Sequence, residues 1–350
     1  MTLPEPVSSE LARVSRIGTR LRVQPERPLR VVALGGGTGL PVVLRSLAPH
    51  VRPQTKGRRR VDLTAVVAMS DDGGSSGRLR RTRGLLPPGD VRNCLVALAG
   101  TGGPLAEVLQ HRFGGKGSLA GHALGNLVIA ALTEMHGDFL QAIRCASRLL
   151  DARGTVLPST LDEVHLVAEL EDGRRVVGER HLVRAGTRVR RVFLHPSRPC
   201  PAEGVLEAIE SADLVTLGPG SLYSSVLPNL LVDGVAEALC STRARRILVA
   251  NLMTEPGETA GMGAVDHVRA VLEHAGPVVD VALLNSEPLD ATRLDRYART
   301  GAEPVRTDLE RIRSLGVVPV EADLLKAGRR LRHDARKLGR ALLSVVAGQS

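Results

Sequence analysis

Short apolar runs, each ending in glycine and small polar residues, recur along this chain. Residues 31–34, 63–69, 213–217, 246–250 and 278–284 are nearly continuous stretches of Val, Leu, Ile and Ala. Runs of that length and composition suit central parallel strands buried on both faces. Segments with helical apolar spacing lie among them: 40–48, 91–99, 104–112, 120–136, 138–150, 201–211, 230–241, 263–274 and a closing one at 334–346. Strands alternating with helices predict an α/β fold built on a doubly wound, mostly parallel sheet.

The pattern changes at about 155–195. Val164, Leu166, Ala168 and Leu170 alternate with other residues, Asp172-Gly173 is a hairpin signal, and 176–177 and 189–194 read as partner strands. A small antiparallel β insertion within one domain, 29–350, is the expected arrangement. Residues 1–28, with Pro4, Pro6, Pro25 and Pro28, read as a flexible N-terminal lead-in.

The loops after the strands carry the chemistry. The first strand runs into Gly35, Gly36, Gly37, Thr38 and Gly39, and a helix begins at Leu40 with Pro41 in its first turn. Strand, glycine turn and helix N-terminus together aim backbone N–H groups at one point, where a phosphate fits. The spacing is not a clean dinucleotide fingerprint, and a Walker Lys is missing. A plain tight turn is the other reading.

The second strand ends in Ser70-Asp71-Asp72-Gly73-Gly74-Ser75-Ser76-Gly77. Asp71 and Asp72 can hold Mg2+ or bond sugar hydroxyls; alternatively Asp71 caps the turn and Asp72 is solvated. Asp90 reads as the cap of the helix at 91–99, or as a polar contact with Arg92 and Asn93. Gly121 and Gly125 inside the expected helix at 120–136 imply a close approach, and His122 and Asn126 share its face. His122 reads as a ligand contact or as a satisfied structural residue.

Two further loops, Gly218-Pro219-Gly220-Ser221 and Asn251-Leu252-Met253-Thr254-Glu255, follow later strands. In a parallel sheet all these loops open on one edge and line one cleft. No nucleophile elbow or Ser-His-Asp spacing is evident. Glu258 could serve as an acid or base, or flank a helix N-terminus.

Composition narrows the partners. The net charge is +10, yet the chain has no Trp, two Tyr and three Phe, so base stacking is nearly unavailable and nucleic acid is not expected. The basic run at Arg58-Arg59-Arg60 suits a solvated loop. Cys94, Cys145, Cys200 and Cys240 are scattered, which favours free thiols in a reducing compartment over disulfides or zinc. No 18-residue apolar run and no signal-peptide core occur, so a cytoplasmic protein without a membrane span is expected.

Taken together, the motifs at 35–40, 70–77, 87–93 (Pro-Pro-Gly-Asp-Val-Arg-Asn), 121–126 (Gly-His-Ala-Leu-Gly-Asn), 218–225 and 251–259 resemble the YvcK/CofD-like family, over about residues 30–346. Within it the chain is similar to the gluconeogenesis factor branch, bacterial cytoplasmic proteins required for normal cell shape and growth on gluconeogenic carbon. The resemblance implies a Rossmann-like core that binds UDP-sugars such as UDP-N-acetylglucosamine, with no cofactor required beyond Mg2+ at Asp71 and Asp72.

Carried over motif by motif, the binding candidates on the first wall are Gly36, Gly37, Thr38 and Gly39, with Asp71, Asp72, Gly74 and Ser75 beside them. Asn93, His122 and Asn126 follow, then Gly218, Gly220, Ser221, Asn251 and Thr254. Arg332, before the last helix, is placed for a phosphate or uracil contact. Glu255 departs from the branch, where Gln is expected. The related branch transfers a phospholactyl group onto a deazaflavin precursor with Mg2+, so a 2-phospho-L-lactate transferase is the alternative to a non-catalytic regulator. A homodimer is compatible with the sequence, which leaves oligomeric state and regulatory partner proteins open.

Overall fold

Each apolar run becomes a strand because Val, Leu and Ala on both faces can be covered by helices. The computed structural model describes residues 27–51, 60–99 and 103–348. The lead-in expected at 1–28 lies outside the described residues except for Arg27 and Pro28, as do Arg58 and Arg59 of the basic run. The strands are β1 (Leu29–Gly35), β2 (Val61–Val67), β3 (Thr155–Pro158), β4 (His165–Leu170) and β5 (Arg175–Val177). They continue with β6 (Val189–His195), β7 (Leu214–Leu217), β8 (Arg245–Val249), β9 (Val281–Asn285) and β10 (Val318–Ala322).

A 7-stranded sheet runs β10-β9-β8-β7-β1-β2-β3, with every neighbouring pair parallel. A 3-stranded antiparallel sheet, β5-β4-β6, is the insertion. The predicted α/β architecture is therefore present. From β1 the chain moves outward through β2 to β3, then returns to the other side of β1 at β7. Ligands in open α/β sheets bind beyond the strand C-termini at such a reversal. Leu34 is level with Leu217 across the β1–β7 pair, so the Gly35 and Gly218 loops leave the sheet side by side.

The helix Leu40–Val51 buries Leu40, Val43, Leu44 and Leu47, one face at i, i+3, i+4 and i+7 spacing. The last helix, Ala335–Ala347, buries Leu338, Ala341, Leu342 and Val345 and packs on it. Gly339 permits the approach, since a Cβ there would stand 2.8 Å from the Ser46 carbonyl oxygen.

Several expectations change. Residues 155–158 join the main sheet beside β2, so the antiparallel insertion begins at His165. β3 and β10 are edge strands carrying Pro158 and Pro319; proline donates no ladder hydrogen bond and so hides a strand in the sequence pattern. The loop expected over 70–77 turns helical part-way, at Gly74, as the helix Gly74–Arg83. The helix expected from 120 begins at Leu124. Gly121 N–H and the His122 carbonyl pair with Phe113 instead, which holds that stretch out of the helix. Among the described residues no helix is long and apolar enough to cross a membrane.

Candidate functional site

Backbone meets backbone where the β1 and β7 loops touch. A Cβ on Gly39 would overlap the Pro219 carbonyl, so only glycine allows these loops to pack. Gly37, at φ +60, is held on both sides by the helix Gly89–Leu98. Its N–H donates to Asp90 Oδ2 at 2.6 Å, and its carbonyl accepts from Asn93 Nδ2 at 3.3 Å. Asp90 therefore does not cap its own helix, whose N-cap position falls on Pro88. A Cβ on Gly36 would stand 2.8 Å from the same Asp90 oxygen. Thr38 stays exposed at the tip, and among the described residues the N–H groups of Thr38 and Gly39 have no hydrogen-bond partner.

A buried polar chain joins this loop to the next. Arg92 donates through Nη2 to Asn93 Oδ1 and through Nη1 to Asn126 Oδ1, both at 2.7 Å. Asn126 Nδ2 donates to Ser75 Oγ at 3.0 Å, and Ser75 Oγ lies 2.9 Å from His122 Nδ1. His122 and Asn126 thus both reach Ser75 Oγ, but His122 precedes the helix, so the two do not share a helical face as expected. Gly125 supplies the close approach inferred for it: a Cβ there would meet the Leu109 carbonyl at 2.7 Å and Arg92 Cδ at 2.8 Å. Burial, then Arg78, lowers the pKa of His122, so neutral imidazole is favoured.

Asp71 makes the expected turn contact, accepting from Gly73 N–H at 2.8 Å. Its carboxyl also bonds the Ser76 hydroxyl, and burial raises its pKa. Ser76 Oγ in turn accepts from Gly89 N–H at 3.1 Å, tying the β2 loop to the Asp90 helix. Asp72 Oδ1 is buried and finds no hydrogen-bond partner among the described residues. Gly74, exposed at φ +44, opens the helix N-terminus with empty space around it.

The opposite wall is built by side chains that hold backbone. Asn251 accepts from Gly220 N–H at 3.1 Å and donates to its carbonyl at 2.9 Å. Its two-sided amide bond fixes the Gly218 loop. Thr254 Oγ1 accepts from Glu303 N–H at 2.9 Å, while Thr254 N–H donates to the Glu303 carbonyl at 2.7 Å. Both Thr254 groups therefore anchor the β8 loop to residues beyond β9. Glu258 accepts from Tyr223 and Ser224 N–H groups and, at 2.7 Å, from the Ser224 hydroxyl. That matches its reading as a helix-flanking carboxylate; burial pushes it up to about 7. The Glu255 carboxyl bonds the Ser221 hydroxyl and is raised by burial, which lessens its charge beside an anion.

Arg332 is exposed and close enough to Arg45 to lower that residue's pKa, after burial. Its chain neighbours touch the β8 loop: Leu331 clusters with Leu252 and Met253, and His333 Nε2 lies 3.2 Å from the Ala250 carbonyl oxygen. One acid escaped the sequence pattern altogether. Glu179, at the start of the insertion's short helix Glu179–Arg184, is pushed up to about 8 by burial and by the carboxyls of Asp71, Glu258, Asp90 and Asp72. No local motif marks it, because only the folded insertion brings it over these loops.

Asp90 gives the site a pH signature. Burial first, then Asp71, raises its carboxyl to about 6, above the usual value of about 3.9. A raised folded pKa contributes stability that is fully present below the unfolded pKa and lost as pH rises through the folded one. The urea midpoint should therefore fall between about pH 4 and 7, and Asp90→Asn should flatten that fall while keeping an acceptor for Gly37. An unchanged slope in the variant would assign the titration elsewhere.

Comparison with known proteins bears on this arrangement. Residues 31–325 match the family described as 2-phospho-L-lactate transferase CofD. The chain belongs to the CofD family. The match spans every loop of the wall. The gluconeogenesis factor of Halalkalibacterium halodurans is 44% identical over 315 residues, covering 89% of this chain and 95% of that protein. The gluconeogenesis factor of Bacillus subtilis is 40% identical over 319 residues, 91% of this chain and 98% of the relative. A crystal structure from Bacillus halodurans superposes with a TM-score of 0.86 at 44% identity, covering 91% of this chain and all 100% of that one. The CofD family and these relatives fit a regulatory or transferase-like role.

Proposed function

We propose that this protein binds a nucleotide-sugar, of the UDP-N-acetylglucosamine type, across the crevice between β1 and β7. It then acts in the cytoplasm as a regulator of cell-envelope metabolism and cell shape during gluconeogenic growth. The observation that carries the reading is the exposed loop tip at the sheet reversal, where the Thr38 and Gly39 N–H groups find no partner among the described residues and precede a helix. A diphosphate accepts from such groups and is favoured by the helix dipole. Ser75 supports binding over catalysis. The residue is 4% exposed, and its hydroxyl is engaged by His122 and Asn126 and so is not a free nucleophile. The names of the gluconeogenesis factors support the regulatory half.

Transferase chemistry is the second reading, favoured by Asp71 and Asp72. Among the described residues no group of three or more His, Cys, Asp or Glu could hold a metal by itself. Mg2+ ordinarily takes one or two carboxylates together with substrate phosphates and water. The unpartnered Asp72 Oδ1 fits that demand. Asp71 and Asp72 would hold the ion, which would offset phosphate charge near the acidic loops.

Titration calorimetry with UDP-N-acetylglucosamine, in EDTA and again in Mg2+, tests both readings. Binding in both solutions supports the regulator. Binding only with Mg2+, with hydrolysis or transfer of the nucleotide-sugar, favours the transferase. No heat at millimolar ligand in either solution sinks the nucleotide-sugar reading.

A further inference from the structure

The insertion does more than extend the fold at its edge. Its short helix Glu179–Arg184 spans two walls of the crevice. At one end, Gly178 lies against Asp72: a Cβ there would overlap Asp72 Oδ2, and the residue holds φ +88. At the other end, Val183 lies against Gly257 of the β8 loop, where a Cβ would meet the Val183 Cα at 2.7 Å. Leu182 is fully buried beneath the helix, and Gly178 N–H donates to the Leu166 carbonyl of β4 at 2.7 Å. The helix is thus fixed at its start to its own sheet and the β2 loop, and at its end to the β8 loop. Glu179, its first residue, is half-buried among Asp71, Asp72, Asp90 and Glu258.

From this bridging geometry we infer that Glu179 is the sugar-contacting, specificity-determining residue of the nucleotide-sugar site, an assignment that rests on the function proposed above. An anion is disfavoured in its surroundings, which hold carboxyls from the β2 loop, the β8 loop and the helix Gly89–Leu98. Neutral hydroxyl and amide groups are not excluded, and a carboxyl bonds them from either side of its titration. In this pose the diphosphate takes the Thr38 and Gly39 N–H groups of the β1 loop, whereas Glu179 stands on the insertion beside the β2 and β8 loops. The ligand is thereby oriented with its hydroxylated end under the insertion, and a sugarless nucleotide diphosphate leaves Glu179 unused.

Calorimetry on the full chain with UDP-N-acetylglucosamine and with UDP reads this directly. The wild type is expected to prefer the sugar nucleotide about tenfold, the upper end for one neutral hydrogen bond. Glu179→Ala should bring that ratio close to one, and Glu179→Gln should restore part of it, with thermal melting confirming that both variants are folded. A Glu179→Ala variant that keeps the wild-type ratio overturns the assignment while leaving the nucleotide-sugar site intact. Equal binding of both ligands by the wild type also overturns it. Absence of binding by the wild type removes the site and the assignment together.

Discussion

Gly39→Ala is expected to abolish nucleotide-sugar binding in calorimetry and to lower the unfolding free energy by about 3 kcal/mol, the upper end of overpacking costs. The new methyl falls on the Pro219 carbonyl, a backbone atom that cannot swing away as a side chain could. Both loops are also tied down. Gly218 N–H donates to the Leu34 carbonyl at 2.9 Å, Asn251 clamps Gly220 on two sides, and Asn229 Nδ2 donates to the Gly35 carbonyl at 3.1 Å. Relief therefore requires one loop to break several hydrogen bonds. Gly74→Ala is the contrast: it has open space around it, and its φ of +44 costs only about 1–2 kcal/mol of backbone strain. Urea denaturation should rank the two variants in that order. A Gly39→Ala protein that melts and binds like the wild type would show that the loops are not in this contact.

The central strands were legible because burial on both faces leaves a continuous apolar run, as in Leu63 to Val67. The edges were not, because an exposed strand needs neither continuity nor a full set of N–H donors; Val318, at the start of β10, is 50% exposed and is followed by Pro319. The glycine-rich loops were legible as a set, since each follows a readable strand. Their internal division of labour was not. Asn251 and Thr254 stand in the motif as binding candidates, yet their polar atoms hold Gly220 and Glu303, partners 31 and 49 residues away. Asp90 precedes an apolar helical run as a cap would, but its carboxylate serves Gly37, 53 residues earlier. Local pattern specifies elements, whereas such long-range choices depend on which loops the sheet order brings together. Glu179 is the extreme case, being delivered by an insertion whose own pattern speaks only of alternation.

The largest expected loss of stability comes from Arg92→Met, about 3–5 kcal/mol at pH 8, as for breaking a buried charge network from one side. Arg92 is 3% exposed and bonds Asn93 and Asn126, the residues that connect Gly37 to Ser75. Burial, then Arg112, lowers its pKa to about 10, opposed by Asp90 and Asp71. It remains a cation at neutral pH and faces those carboxyls. Methionine fills part of the volume along Gly125 but supplies no donor, so the Asn93 and Asn126 carbonyls lose theirs. The loss should also depend on pH, with a definite sign. Arg92 holds the Asp90 carboxyl down, so its removal raises the folded pKa above the present value of about 6 and adds to the stability lost as pH rises through it. Urea midpoints should therefore show a smaller penalty at pH 5 than at pH 8. In a double-mutant cycle, Asp90→Asn should recover part of the pH 8 loss by removing the carboxylate left unpaired. A penalty equal at both pH values, and additive with Asp90→Asn, would mean that Arg92 stabilises the site by packing and hydrogen bonding alone, without coupling to the Asp90 charge.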